Sequence, residues 1–170
     1  MKFSNFLPLV IFTCLSLFFL LKLFNFEESK NITSALIDKP FPQLTLPNLE
    51  NKSKINAHVG KDVIVVNFFA SWCAPCREEH EVFKEFSEDF LIIGIAYKDS
   101  LENLNNFLLE LGNPYREIFL DSTGKSAIEL GLYGVPETYF VDLRGVIKYK
   151  HVGPINRGQF KKYISKMQSL

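Results

Sequence analysis

Residues 63–80 read VIVVNFFASWCAPCREEH, an apolar run that ends at two cysteines three positions apart and passes directly into charged residues. Val63 to Phe69 is β-branched and aromatic, of strand length and without polar alternation, which predicts a central strand buried on both faces. Beyond the cysteines, Glu79, His80, Val82, Phe83 and Phe86 recur at helical spacing. The dithiol therefore lies at a strand-to-helix junction, with Cys73 near the helix N-terminus. Pro75 falls in the first turn, where its missing N–H has no helical partner to lose.

The same patterning extends the fold on both sides. FPQLTLPNLENKSK alternates apolar and polar residues and is broken by Pro42 and Pro47, as short edge strands would be. Phe90 to Tyr97 is a second buried strand, and Leu101, Leu104, Phe107, Leu108 and Leu111 mark a helix stopped by Gly112. Ile118 to Leu120 is a short strand and Asp121 to Leu130 a short helix. Thr138 to Asp142 and Val146 to Lys150 form a hairpin around Arg144-Gly145, and a helix from about Asn156 closes the chain. The order βαβαβαββα requires parallel strands joined by right-handed crossovers plus an antiparallel portion. The expectation is a three-layer α/β sandwich around a mixed sheet.

The chain has 170 residues, and its nineteen basic and nineteen acidic side chains cancel without forming a block of one sign. That leaves no electrostatic footprint for nucleic acid. The N-terminus departs from this average. Phe6 to Phe24 spans 19 residues with Lys22 as its only charge, close to the ~20 that a membrane-crossing helix needs. Leu23-Phe24-Asn25-Phe26 puts bulky residues where a signal peptidase requires small ones. Residues 1–26 are thus expected to be an uncleaved single-pass signal anchor in the lipid bilayer, 27–39 a tether and 40–170 the folded domain. Lys2 set against Lys22 and Lys30 leans to an N-terminus inside. Cys14 falls within the apolar segment and is expected to face lipid.

Three chemistries compete for Cys73 and Cys76. A zinc site wants four ligands, and His58, His80 and His151 are not paired at ligand spacing, so no metal is expected. A purely structural disulfide closing so small a ring constrains little chain entropy. A redox pair fits best: a thiol at a helix N-terminus is stabilised as thiolate, so Cys73 attacks and Cys76, one turn on, resolves. The two thiols carry both electrons, so no cofactor is needed.

WCAPC at such a junction, with Gly134-Val135-Pro136-Glu137-Thr138 some sixty residues later ahead of a strand, resembles the thioredoxin superfamily. WCAPCREEH, IIGIAYKD (92–99), ELGNPY (110–115), GLYGVPETYFVD and RGVIKYKHVG (131–153) narrow the resemblance. Together they are similar to the membrane-tethered thiol:disulfide interchange proteins of cytochrome c maturation, the CcmG or DsbE family. The resemblance implies a thioredoxin-like fold and a redox-active Cys73–Cys76 disulfide. It also implies a cis Val135–Pro136 bond that sets Val135 beside the sulfurs, where its backbone pairs with an incoming peptide.

The resemblance further implies that acidic residues at Glu79 and Glu137 set the thiol chemistry and the choice of substrate. A carboxylate near Cys76 can act as its general base if burial raises the carboxylate's pKa. Its negative charge would oppose the Cys73 thiolate, as suits a reductant. Asn67 occupies the strand position where thioredoxin carries a buried aspartate; it either leaves the acidic role to Glu79 or is simply a satisfied core amide. Trp72 is expected to pack as a shield over the active site, His80 to lie on the surface, and Glu78, Glu81 and Glu85 to be solvated. His58 and His151 carry no special signal.

The function expected is a protein-disulfide reductase in the inner membrane, its catalytic domain on the periplasmic side. It would act on CxxCH segments of apocytochrome c or on a thiol-handling maturation partner, and be recharged by a membrane electron donor resembling DsbD or CcdA. The alternatives are a general extracytoplasmic oxidase or reductant, and a non-catalytic binding module for assembly partners. A peroxidase is weaker, because no cysteine lies in a Pro-x3-Thr-x2-Cys setting.

Overall fold

The structure is a computed structural model that describes residues 7–24, 34–48, 52–54 and 63–169. The chain divides into two units, residues 1–31 and 32–170. In the first, helix α1 (Leu7–Phe24) is apolar on every side, with Leu9, Phe12, Leu17 and Phe19 all exposed. Thr13 satisfies its hydroxyl by donating to the carbonyls of Leu9 and Val10. The free Cys14 is exposed on this helix. Eighteen residues rise about 27 Å, and among the described residues no helix is long and apolar enough to cross a membrane.

The second unit is built on β3 (Ile64–Phe69), the run that opened the sequence, buried at all six positions. It is the centre of a five-stranded sheet with β4 (Leu91–Tyr97), β5 (Glu117–Asp121), β6 (Glu137–Val141) and β7 (Ile147–Val152), in the order β5-β4-β3-β6-β7. The β3, β4 and β5 strands are parallel, whereas β6 and β7 run antiparallel. Val65 and Phe69 face one layer, which holds α2 (Ala74–Phe86), α3 (Leu101–Leu111) and α5 (Arg157–Gln168). Ile64, Val66 and Phe68 face the other, with α4 (Lys125–Glu129) and the segment around Phe41 and Leu44. This is the three-layer mixed-sheet arrangement that the element order required.

The proline-broken stretch, expected to hold short edge strands, contains β1 (Thr45–Pro47) and β2 (Lys52–Lys54), which pair with each other as a small antiparallel ribbon. The domain's first bonds precede Pro40. The Asp38 N–H donates to Ile147 at 2.8 Å, and Leu36 and Ile37 pack on the second core.

Long-range bonds fix the approach to α2. Asp99, just past β4, accepts from the Ser71 N–H at 2.6 Å and from its hydroxyl at 2.9 Å. This carboxylate holds the turn that delivers Cys73 to the helix. Below the turn, β3 and β4 are close-packed through the ring of Tyr115, which stacks on Phe69 at 4.7 Å. Gly94 makes room for both rings, because a Cβ there would sit 2.9 Å from each. Gly94→Ala is therefore expected to cost about 1–3 kcal/mol through overpacking. Thermal unfolding checks it, and an unchanged midpoint would refute the close-packing account.

Candidate active site

Cys73 and Cys76 are joined in a disulfide, their Cα atoms 5.3 Å apart. Cys73 is the N-cap of α2, and its sulfur accepts from the Cys76 N–H at 3.2 Å. On reduction, that N–H and the helix N-terminus favour thiolate at Cys73. The Val135–Pro136 bond is cis, and the Val135 carbonyl oxygen lies 3.6 Å from Cys73 Sγ. The Val135 backbone and the Cys73 sulfur are thus adjacent, as the resemblance implied. Trp72 is 60% exposed, with its indole N–H donating to the Lys98 carbonyl at 3.2 Å and its ring beside Tyr97.

Glu79 lies one turn beyond Cys76, and both are 2% exposed. Such i, i+3 residues share a helix face, and this face packs on β3. One carboxyl oxygen accepts from Asn67 Nδ2 at 2.9 Å and the other from the Ile155 N–H at 2.9 Å. Burial pushes the Glu79 pKa up to about 8, and the two hydrogen bonds only partly oppose that rise. Glu79 is therefore mostly protonated at neutral pH. The negative charge expected to oppose the Cys73 thiolate is present chiefly above pH 8, while a base of this strength is well matched to a cysteine thiol.

Of the two readings of Asn67, the geometry bears directly on the core amide. It is a fully satisfied core amide: Tyr115 donates to its Oδ1 at 2.9 Å, and its Nδ2 also reaches Thr138 Oγ1 at 3.2 Å. It is also Glu79's direct partner. Tyr115 is the site residue that sequence reasoning missed. ELGNPY marked the family, but nothing local says that its tyrosine hydroxyl meets a residue 48 positions earlier. Burial and the nearby Glu79 push the Tyr115 pKa up, so it stays a donor.

Glu137 is not part of this cluster. Thr138 faces Asn67, and successive strand side chains point to opposite faces, so Glu137 faces the layer of α4. There it is fully buried and forms an ion pair with Lys150 Nζ at 2.9 Å. His80 corrects the surface assignment. It is 1% exposed, between Phe107 and Tyr115, with Nε2 2.9 Å from the Gly112 carbonyl and Nδ1 without a partner. The correction follows from helical spacing, because Cys76, Glu79, His80, Phe83 and Phe86 form one continuous buried stripe. Burial lowers the His80 pKa, so its ring is neutral where a surface histidine would titrate. His151 is buried as well, near Tyr163 and the Pro154 carbonyl. Glu81 pairs with Lys84 and Glu85 with Arg157 at the surface. His58 lies outside the described residues.

Comparison with known proteins gives a consistent result. The Redoxin family model matches residues 37–166. The thiol:disulfide interchange protein DsbE of Yersinia pestis is 39% identical over 158 residues, 89% of this chain and 84% of its own. CycY of Rhizobium leguminosarum, likewise named a thiol:disulfide interchange protein, is 49% identical over 112 residues, 65% of this chain and 58% of its own. Among solved structures, a secreted thiol-disulfide isomerase from Corynebacterium glutamicum shares the fold, with a TM-score of 0.65 at 19% identity, over 76% of this chain and 85% of its own. A family model that covers most of the domain and a DsbE relative aligned along nearly the whole chain agree. The chain belongs to the redoxin family and, within it, to the DsbE thiol:disulfide interchange proteins.

Proposed function

We propose that this thiol:disulfide oxidoreductase works as a reductant in cytochrome c maturation. Its substrates are disulfides of apocytochrome CxxCH segments or of the partner that handles them. The observation that carries the reading is the buried Glu79 carboxyl on the same helix face as Cys76, one turn beyond it, tuned by desolvation to about 8. In the reducing direction the Cys73 thiolate attacks a substrate disulfide, forming a mixed disulfide and releasing one substrate thiolate. Glu79 then takes the Cys76 proton, and the Cys76 thiolate attacks Cys73 Sγ. The second substrate thiolate leaves, and the Cys73–Cys76 disulfide holds the oxidising equivalents. A membrane dithiol donor resembling DsbD or CcdA restores the thiols.

The apolar stretch 6–24, of which α1 exposes large side chains all round, supports a single-pass anchor in the inner membrane, with the domain on the periplasmic side. The names of the DsbE and CycY relatives support thiol exchange, and GVPET with ELGNPY supports the maturation setting.

Cys76→Ala removes the resolving thiol and should trap the true substrate on Cys73 as a mixed disulfide, in a membrane fraction that survives carbonate washing. Capture of a cytochrome-maturation protein supports the reading. A variant that traps nothing in native membranes indicates a binding module, and one washed off by carbonate has no anchor. The reduction potential of the Cys73–Cys76 couple should fall nearer thioredoxin's ~−270 mV than DsbA's ~−120 mV. A value at the oxidising end would rule out a reductant.

The pH dependence has a defined sign. Between about 4.5 and about 8 the folded protein keeps a Glu79 proton that the unfolded chain releases, so this group's contribution to stability falls as pH rises through that window. Glu79→Gln should abolish that fall in denaturant titrations. The resolving step should speed up toward a plateau above about pH 8 in the parent. In the variant it should be slower by roughly a hundredfold and lack that inflection. Identical rate profiles would remove Glu79 from the mechanism.

A further inference from the structure

We infer that Lys150, acting through Glu137, is a positioning residue for the loop that carries Val135 and Pro136, so that this ion pair sets how well a polypeptide disulfide docks beside Cys73. The inference rests on the reductant reading only for its choice of polypeptide disulfides as substrates.

The loop from Leu130 to Val135 leaves α4 and turns into β6. Its first half is tied to α4 by backbone bonds, the last being Leu132 N–H to the Ala127 carbonyl at 2.9 Å. Side chains from the sheet add further holds along the loop, and the Gly153 N–H donates to the Pro136 carbonyl at 2.9 Å at its far end. Glu137 Oε1 accepts from the Tyr133 N–H at 2.7 Å. Lys150 Nζ binds Glu137 Oε2 at 2.9 Å and the Gly131 carbonyl at 2.9 Å, and lies 4.8 Å from the centre of the Tyr133 ring. Tyr139 donates from its hydroxyl to the Leu130 carbonyl at 3.0 Å. Three loop positions are thus fixed by two neighbouring strands just before Gly134-Val135-Pro136, and the Val135 carbonyl is the group that stands 3.6 Å from Cys73 Sγ.

The electrostatic alternative is that Glu137 tunes the thiols by its charge. Its carboxylate is cancelled by the ammonium at hydrogen-bond distance, and it points to the sheet face away from Glu79. A buried ion pair is also a weak source of net stability. What this pair supplies is geometry, because each of its members bonds a different part of the loop. A substrate backbone that pairs with the Val135 edge needs that edge in place before the sulfurs meet. Loss of the pair therefore weakens docking and spares the chemistry of the dithiol.

The test uses the full chain, pre-reduced, and a synthetic peptide with one internal CxxCH disulfide, in parent, Lys150→Met, Lys150→Arg and the double variant Glu137→Gln/Lys150→Met. In Lys150→Met the half-saturating peptide concentration should rise about tenfold while the limiting rate changes less than about twofold. The Tyr133 amide should exchange with solvent about tenfold faster, the reduction potential should not move, and Lys150→Arg should retain most of the parent's affinity. If Lys150→Met does not fold, the double variant, which leaves no lone buried charge, gives the same readout. A folded Lys150→Met or double variant with parental affinity, whether or not its potential shifts, overturns the inference. An oxidising potential in the parent would defeat the reductant reading instead, and the affinity ratios would still judge the latch.

Discussion

Glu79 joins three elements: the helix it sits on, the central strand through Asn67, and the start of α5 through the Ile155 N–H. Both of its partners are neutral donors, so desolvation prevails and the carboxyl keeps its proton to about pH 8. The packing around it follows from that requirement. Phe69, Tyr115 and Phe83 wall the same interface, and Gly94 lets the Tyr115 ring close over the strand. A more open arrangement would hydrate the carboxyl and return it to an ordinary acid, a base too weak to draw a proton from a thiol.

The two buried glutamates show how the same residue type acquires opposite character. Glu79 has hydrogen-bond donors without a counter-ion and stays largely protonated at neutrality. Glu137 has Lys150 against it and is fixed as half of an ion pair. Adjacent strand positions point to opposite faces, and since Thr138 bonds Asn67, the neighbouring carboxylate must face the other layer. One acidic group thereby lies on the buried face of the cysteine-bearing helix, and the other belongs to the loop that carries Val135.

Much of this was legible in the chain. The unbroken apolar run of β3, the cysteines at its end, the stop at Gly112 and the hairpin around Gly145 are local signals, and each became the element it indicated. Glu79 was singled out through the family resemblance, and its helical spacing from Cys76 agrees with the buried face on which it lies. The burial of His80 was equally available from that stripe, and its charge-rich neighbours hid it. Other features depend on contacts between distant segments. Tyr115 meets Asn67 across 48 positions, and Asp99 meets Ser71 across 28. No periodicity encodes such pairs; they exist only after strands β3 and β4 lie side by side.

The Ile155 N–H that completes the Glu79 site comes from a residue 76 positions downstream. During synthesis, both cysteines and the helix that carries them emerge well before that donor does. A chain that has emerged only to about residue 140 holds both cysteines, but the Glu79 carboxyl still lacks its Ile155 donor. The environment that holds the Glu79 proton to about pH 8 is therefore complete only once residues beyond 154 are in place.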